Sequence, residues 1–398
     1  MVRRVDRVAL VVCDSFGVGG APDAAAYGDS GSNTIGHVAD AAGGLRAPNL
    51  AALGLGCLTE VAGVPCGEAA PGTAHGALVE QSAGKDTTTG HWEICGVVLE
   101  RPFPTYPDGF PPEVIEPFER AIGLEVLGNR AASGTDIIRE LGEEHLRTRR
   151  PIVYTSADSV FQVATHVDVV PLEELYEWCR VARGILDGDH GVGRVIARPF
   201  AGPPGAFVRT PDRRDFSVPP PGTTVLDRCL QAGVSVYGVG KIGDIFSGRG
   251  LSEFRYSRSN DDGVDLTIDY LRRPGPSLVF TNLVDFDSKY GHRNDAAGYA
   301  ACVRAFDARV PDLLGAVREA DGMLFLTGDH GCDPTTLEST DHTRERTPML
   351  AWGAGGREAV DVGTRSPFGD LGATIADLLG VELGDGLAGR SFAAELGR

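Results

Sequence analysis

The sequence predicts a doubly wound α/β core interrupted by a smaller α/β insertion. Three observations carry this expectation. Short valine-rich apolar runs alternate with amphipathic stretches at both ends of the chain, as in a covered parallel sheet with helices on its faces. Two stretches rich in proline, RPFPTYPDGFPPE after Glu100 and residues 203–221, bracket a middle segment with its own helix and strand patterns. Carboxylates and imidazoles follow several apolar runs, which is where open α/β sheets gather their ligands. The expected division is 1–100 for the first part of the core, 101–220 for the insertion and 221–398 for the second part of the core.

Residues 5–12 read as a first strand, apolar on both faces, that ends at Asp14 and runs into SFGVGGAPDA. GVGG lacks the full GxGxxG spacing and a well-placed helix, so the strand end matters here as the place that presents Asp14. Helices are expected at 33–42 and 48–53, and a short strand at 77–81. SAGKDTTTGHWEICG follows, with a helix expected over 87–94. Within the insertion, helices are expected at 113–122, 134–141 and 172–186, and strands at 151–154 and 192–197. Beyond it come a helix at 224–232, a strand at 234–239 leading directly to Lys241, and a helix at 266–272. The strand at 278–284 ends in DFDSKYGH, which offers Asp285, Asp287 and His292. A long helix at 299–319, strands at 323–326 and 349–352, and a closing helix at 373–379 complete the pattern.

The chain has 398 residues and a formal net charge of −18, from 55 acidic against 37 basic side chains. Such a surface repels nucleic acid and anionic membrane, so an anionic small substrate needs a local basic site built against the general field. No run approaches the ~18 apolar residues of a membrane-spanning helix. The basic and apolar N-terminus is too short in its apolar part, and runs into Asp14 rather than a cleavage site, to read as a signal peptide. The eight cysteines show no CxxC and no short disulfide framework, which leads to the expectation of a reducing cytoplasm. Cys13 and Cys332, although near candidate ligands, read as packing residues. Lysine occurs only at positions 85, 241 and 289, all within the motif stretches. These are the places where a compact ammonium is needed and a planar guanidinium does not serve.

The chemistry concentrates in LFLTGDHGCDPTTLESTDHT, residues 324–343. Asp329 and His330 stand between Gly328 and Gly331, and a second pair, Asp341 and His342, follows twelve residues later. Carboxylate oxygen and imidazole nitrogen suit Mn²⁺, Zn²⁺ or Fe. With Asp14, Asp287 and His292, the ligands are too many for one ion and right for two, and two cations about 3.5–4 Å apart can clamp a phosphoryl group. A hydroxyl at the start of the 87–94 helix sits in the positive field of the helix N-terminus, an environment suited to a nucleophile that acquires a phosphoryl group. The residues alone do not say which of the three consecutive threonines acts.

DxxxxH at Asp287 and His292, the Asp329-His330 pair and the later His342 resemble the metal site of the alkaline phosphatase superfamily. Within it, VVCDSFGVGG, GKDTTTGHWE, GVGKIGDIF, NLVDFDSKYGHRND and TGDHGCDPTTLESTDHTRE resemble the phosphopentomutase family over the whole chain. The resemblance implies an alkaline-phosphatase-like core whose insertion is a cap domain. It implies one metal held by Asp287, His292 and His342, another by Asp14, Asp329 and His330, and Thr87 as the phosphorylated residue bridging both. It implies two Mn²⁺ ions, and a sugar bisphosphate that phosphorylates the threonine. Ser156 and Asp158 match residues that meet the sugar; Arg194, Arg209 and Lys241 match residues near the substrate phosphate. The implied activity interconverts ribose or deoxyribose 1-phosphate with the 5-phosphate; a monomer is compatible with it. The rivals are a phosphatase or phosphodiesterase with the same metals, a cofactor-independent phosphoglycerate mutase, against which GKDTTTGHWE argues because that relative uses serine, and a silent metal-binding protein.

Overall fold

A computed structural model of the chain describes residues 4–67, 69–156, 159–336, 339–353 and 359–396. Asp158 lies outside these residues. The chain divides into two compact units, one formed by Met1–Arg101 with Pro220–Arg398 and the other by Pro102–Pro219.

The first unit is built on an eight-stranded sheet. Its spatial order is Glu253–Arg255, Ser235–Val239, Ser277–Leu283, Arg7–Cys13, Met323–Thr327, Thr347–Gly353, Thr73–Leu78 and Val360–Arg365. Arg7–Cys13 lies at the centre, with Val8 opposite both Leu278 and Met323, which is why its sequence is apolar at nearly every position. Successive side chains alternate between faces. On one face Ala9, Val11, Val279, Leu324, Leu326 and Leu350 form a core with Val303, Val310, Leu313 and Val317 of the helix Ala296–Glu319. On the other, Phe280 packs against Phe246 with ring centroids 5.8 Å apart. There Trp92, in the helix Thr87–Ile94, donates its indole N–H to the Ile245 carbonyl at 2.9 Å. Helices on both faces make the unit doubly wound, as expected.

One strand departs from the parallel pattern. Thr347–Gly353 runs antiparallel to both of its neighbours, Met323–Thr327 and Thr73–Leu78. It follows Met323–Thr327 through the loop that carries the second Asp-His pair. Among the described residues of that loop there is no helix to make the crossover a parallel return requires.

In the second unit the strands Leu127–Ala131, Ile152–Thr155, Val160–His166, Arg194–Ala201 and Val208–Arg209 lie in that order, with Arg214–Ser217 also paired to Arg194–Ala201. Val114 and Phe118 of the helix Pro112–Ile122, and Leu175 and Trp178 of Leu172–Ile185, pack on Phe161, Val163, Val195 and Ala197. Ile137 and Ile138 of the helix Gly134–Thr148 join Ile152, Tyr154 and Phe200 in a separate cluster.

Six strands among the described residues were not anticipated from sequence: Leu127–Ala131, Val160–His166, Val208–Arg209, Arg214–Ser217, Glu253–Arg255 and Val360–Arg365. Glu253–Arg255 is a three-residue edge and Leu127–Ala131 lacks an apolar run, whereas Val160–His166 carried an evident β-branched and aromatic signal. The reading of the cysteines is also corrected, because Cys57 and Cys66 form a disulfide with Cα atoms 4.5 Å apart. Gly56 lets the chain fold back on itself there: a Cβ at that position would lie 2.2 Å from the Val64 carbonyl oxygen. Cys13 and Cys332 are free and buried. No helix among the described residues is long and apolar enough to cross a membrane.

Candidate metal centre

Three strands of the first unit deliver acids and imidazoles at their carboxyl ends. Asp14 follows Arg7–Cys13, and Asp329 and His330 follow Met323–Thr327. After Ser277–Leu283 the chain makes a π-helical turn, Phe286–Tyr290, which carries Asp287, and a 3₁₀ turn, Gly291–Arg293, which carries His292. His342 lies on the loop that returns to Thr347–Gly353. The six side chains form two groups, Asp14 with Asp329 and His330, and Asp287 with His292 and His342; within each, one potential ligand atom per residue lies within 4.8 Å of the others.

In the first group Asp14 and Asp329 are fully buried. His330 Nε2 is 3.4 Å from Asp14 Oδ1 and 3.4 Å from Asp329 Oδ2. Its Nδ1 donates to the Gly331 carbonyl at 2.9 Å, which fixes the ring and points Nε2 at the centre. In the second group His292 Nδ1 faces the Thr340 carbonyl at 2.6 Å in the same manner. His292 Nε2 lies 3.3 Å from Asp287 Oδ2, and His342 Nε2 lies 3.5 Å from Asp287 Oδ1. The two groups touch through the rings of His330 and His342, whose centroids are 3.9 Å apart.

Thr87 stands beside the first group. Asp86 caps its helix by accepting from the backbone N–H groups of Thr88 and Thr89, so Thr87 becomes the first helical residue. Thr87 Oγ1 is 3.2 Å from His330 Nε2 and donates to Asp14 Oδ1 at 3.5 Å. The Thr89 hydroxyl donates instead to Asp86 Oδ2. Of the three consecutive threonines, Thr87 is the one whose hydroxyl contacts ligand candidates.

The electrostatics follow from burial and neighbours. Burial opposes the charge of Asp14, yet the hydrogen bond from His330 and the charges of Lys241, His330 and His91 prevail and hold the carboxyl below the usual range. Burial and the Asp14 charge push Asp287 up, but His342 and His292 prevail and hold it down. Burial opposes the charge of His330, and the carboxylates of Asp329, Asp14 and Asp287 overcome it and raise its pKa.

These residues fit divalent cations. Asp287 Oδ1 and Asp329 Oδ2 are buried without a hydrogen-bond partner, an expensive condition unless something else satisfies them. His292 Nε2 and His342 Nε2 face each other at 3.1 Å, where two lone pairs repel unless a proton or cation lies between. Hard carboxylate oxygens with imidazole nitrogens suit Mn²⁺ or Zn²⁺, and the buried thiols of Cys13 and Cys332 belong to neither group.

Residues 6–383 match the Metalloenzyme superfamily. The curated phosphopentomutase of Carboxydothermus hydrogenoformans is 54% identical over 390 residues, covering 98% of this chain and 99% of its own. The chain belongs to the phosphopentomutase family. The phosphopentomutase of Kosmotoga olearia is 55% identical over 377 residues, covering 94% of this chain and 96% of its own. That of Anaeromyxobacter dehalogenans is 56% identical over 393 residues, covering 98% and 99%. As a member of the phosphopentomutase family the chain is an enzyme, an isomerase of the mutase type.

Of the remaining residues singled out in the sequence of this phosphopentomutase family member, Lys241 lies in the first unit, near enough to contribute to the depressed Asp14 carboxyl. Ser156, Arg194 and Arg209 belong to the second unit. Arg194 opens its strand and lies 3.6 Å from Asp215 Oδ2, while the exposed Arg209 donates to Thr135 Oγ1 at 2.6 Å. Asp341, the partner of His342 in sequence, is not among the grouped ligands; Lys85 Nζ lies 3.3 Å from its Oδ2 and 3.1 Å from Asp29 Oδ2. Sequence reasoning missed His91 and Asn282, both fully buried against the first group. Their signals were a histidine inside GKDTTTGHWE and a lone amide near the end of the apolar strand SLVFTNL.

Proposed function

We propose that this enzyme interconverts ribose 1-phosphate, or 2-deoxyribose 1-phosphate, with the corresponding 5-phosphate through a phosphorylated Thr87 and a sugar bisphosphate. The observation that carries the reading is the position of the Thr87 hydroxyl, at a helix N-terminus and within 3.5 Å of both Asp14 and His330. Relatives at about this chain's full length named phosphopentomutase support the choice of a pentose phosphate as substrate.

In this reading Asp287, His292 and His342 hold one Mn²⁺, and Asp14, Asp329 and His330 hold the other. When bound, the pair supplies positive charge that favours the alkoxide of a nearby hydroxyl and offsets charge on a transferring phosphoryl group. Thr87 Oγ1, fixed by the start of its helix, forms the bond to phosphorus, and the sugar oxygen leaves with the electron pair. Phosphothreonine then gives its phosphoryl group to the free hydroxyl of a pentose monophosphate. The bisphosphate turns round, and Thr87 takes back the other phosphoryl group. A sugar bisphosphate first charges Thr87. Lys241, Arg194 and Arg209 bind the non-reacting phosphate, and Ser156 and Asp158 bind the sugar; guanidinium forks suit bidentate contact with phosphate.

Phosphorus NMR of ribose 1-phosphate incubated with the enzyme, Mn²⁺ and a trace of sugar bisphosphate tests this. Ribose 5-phosphate is the expected main product. Inorganic phosphate as the main product would replace the mutase with a phosphatase.

A further inference from the structure

We propose that His91 and Asn282 are positioning residues for the cation site formed by Asp14, Asp329 and His330, and through it for Thr87. The inference rests on the two-cation reading above and adds two residues that are themselves no ligands.

Both side chains are fully buried, and their hydrogen bonds form a continuous chain. Asn282 Nδ2 donates one hydrogen to Asp14 Oδ2 at 3.0 Å and lies 3.3 Å from His91 Nε2. An amide N–H at that distance makes Nε2 the acceptor, which leaves the ring hydrogen on Nδ1. Nδ1–H donates to the Thr87 carbonyl at 2.8 Å. The same nitrogen stands 3.1 Å from Asp329 Oδ2, the buried oxygen without a hydrogen-bond partner. Both ring nitrogens are thus engaged, so His91 has no lone pair left for a cation.

The consequence is a choice of oxygens. Because Asn282 occupies Oδ2 of Asp14, Oδ1 is the oxygen presented to His330 and Thr87. The Ser15 backbone N–H does the same for Asp329, occupying Oδ1 at 3.0 Å and leaving Oδ2 to the centre. His91 links this arrangement to the backbone of the nucleophile, and its ring stacks on Phe280 with centroids 5.6 Å apart. A histidine that served only as core filling would be replaceable by a ring of similar size with no selective effect on one of two cation sites.

The test titrates the metal-free full-length enzyme with Mn²⁺, following free ion by electron paramagnetic resonance, with the thermal midpoint of each metal-free protein measured alongside. Wild type is expected to take up two ions. His91→Phe keeps the stacking on Phe280 but loses both hydrogen bonds, and it should weaken one ion by about 10–100-fold, the usual loss for an outer-shell partner, while the second binds as in wild type. His91→Gln retains a donor and an acceptor and should recover most of that loss despite its poorer packing. Two ions bound as in wild type by a folded His91→Phe, or a His91→Gln no better than His91→Phe, would overturn the inference. If His91→Phe does not fold, Asn282→Ala decides: one ion weakened and the other unchanged supports the proposal, and both unchanged overturns it. A wild type that takes up no Mn²⁺ overturns the two-cation reading and this inference with it.

Discussion

Replacing Arg344 with lysine should destabilise the first unit far more than a change of one cation for another suggests. Arg344 is almost fully buried and ties the segment leading to Thr87 to the segment carrying His342. Its Nη1 donates to Glu80 Oε2 at 2.6 Å, the Ser82 carbonyl at 2.9 Å and the Gly84 carbonyl at 2.6 Å. Its Nη2 donates to the Glu80 carbonyl at 2.8 Å and to Asp23 Oδ2 at 3.0 Å. An ammonium has no planar fork to reach these diverging acceptors. Glu80, itself buried, would have to stand as an uncompensated carboxylate or take up a proton, and breaking a buried ion pair costs about 3–5 kcal/mol. At roughly 2–4 °C per kcal/mol for a domain of this size, the thermal midpoint should fall by about 6–20 °C. The pH dependence has a definite sign. Burial raises the Glu80 carboxyl, and the pull of Arg344 offsets this only in part. A raised folded-state pKa gives stability that is full below the unfolded value and lost as pH rises through the folded one. Loss of the guanidinium raises Glu80 further, so the gap between wild type and Arg344→Lys should widen as pH rises from about 5 to 8. Adding Glu80→Gln should restore part of the loss, with a coupling of about 1–3 kcal/mol. Thermal melts of the four proteins at each pH give the midpoints, and denaturant melts give the coupling. A midpoint within about 2 °C of wild type at every pH, or a gap that narrows as pH rises, would refute the reasoning.

Other expectations concern the chemistry. Thr87→Ala should be inactive yet bind Mn²⁺, and intact-mass and peptide mapping of wild type after exposure to a sugar bisphosphate should place the phosphoryl group on Thr87; label on Thr88 or Thr89 would correct the residue and spare the family. His330→Ala should lower kcat by at least on the order of 10²–10³-fold, the loss when one preorganised electrostatic group is removed, and steady-state rates check it. Exhaustive chelation should abolish activity and Mn²⁺ should restore it, with metal content measured in the same samples. Arg194→Ala should raise the ratio of inorganic phosphate to ribose 5-phosphate, because a bisphosphate held less firmly escapes before it turns round; an unchanged ratio would remove Arg194 from the substrate site.

What the sequence made legible, and what it hid, divide along a physical line. Asp14, Asp287, Asp329 and their histidines announced themselves because charged groups directly after fully apolar strands have few structural reasons to be there. Thr87 was legible only as one of three threonines until Asp86 was seen capping the helix and engaging the Thr89 hydroxyl. The direction of Thr347–Gly353 was not legible, since an apolar strand reads the same both ways and only its connection decides. Asn282 was hidden for a deeper reason. Its amide acquires a role from register: Ser277–Leu283 pairs with Arg7–Cys13 so that Asn282 lies opposite Val12, and that sets Nδ2 against Asp14 Oδ2. Hydrophobic pattern fixes which face of a strand is buried, but a parallel partner two residues higher or lower would bury the same faces. Such a shift would move Asn282 about 6–7 Å along the sheet, beyond reach of Asp14. A ligand can therefore be read from one strand alone, whereas the residue that orients it is specified only by the pairing of two.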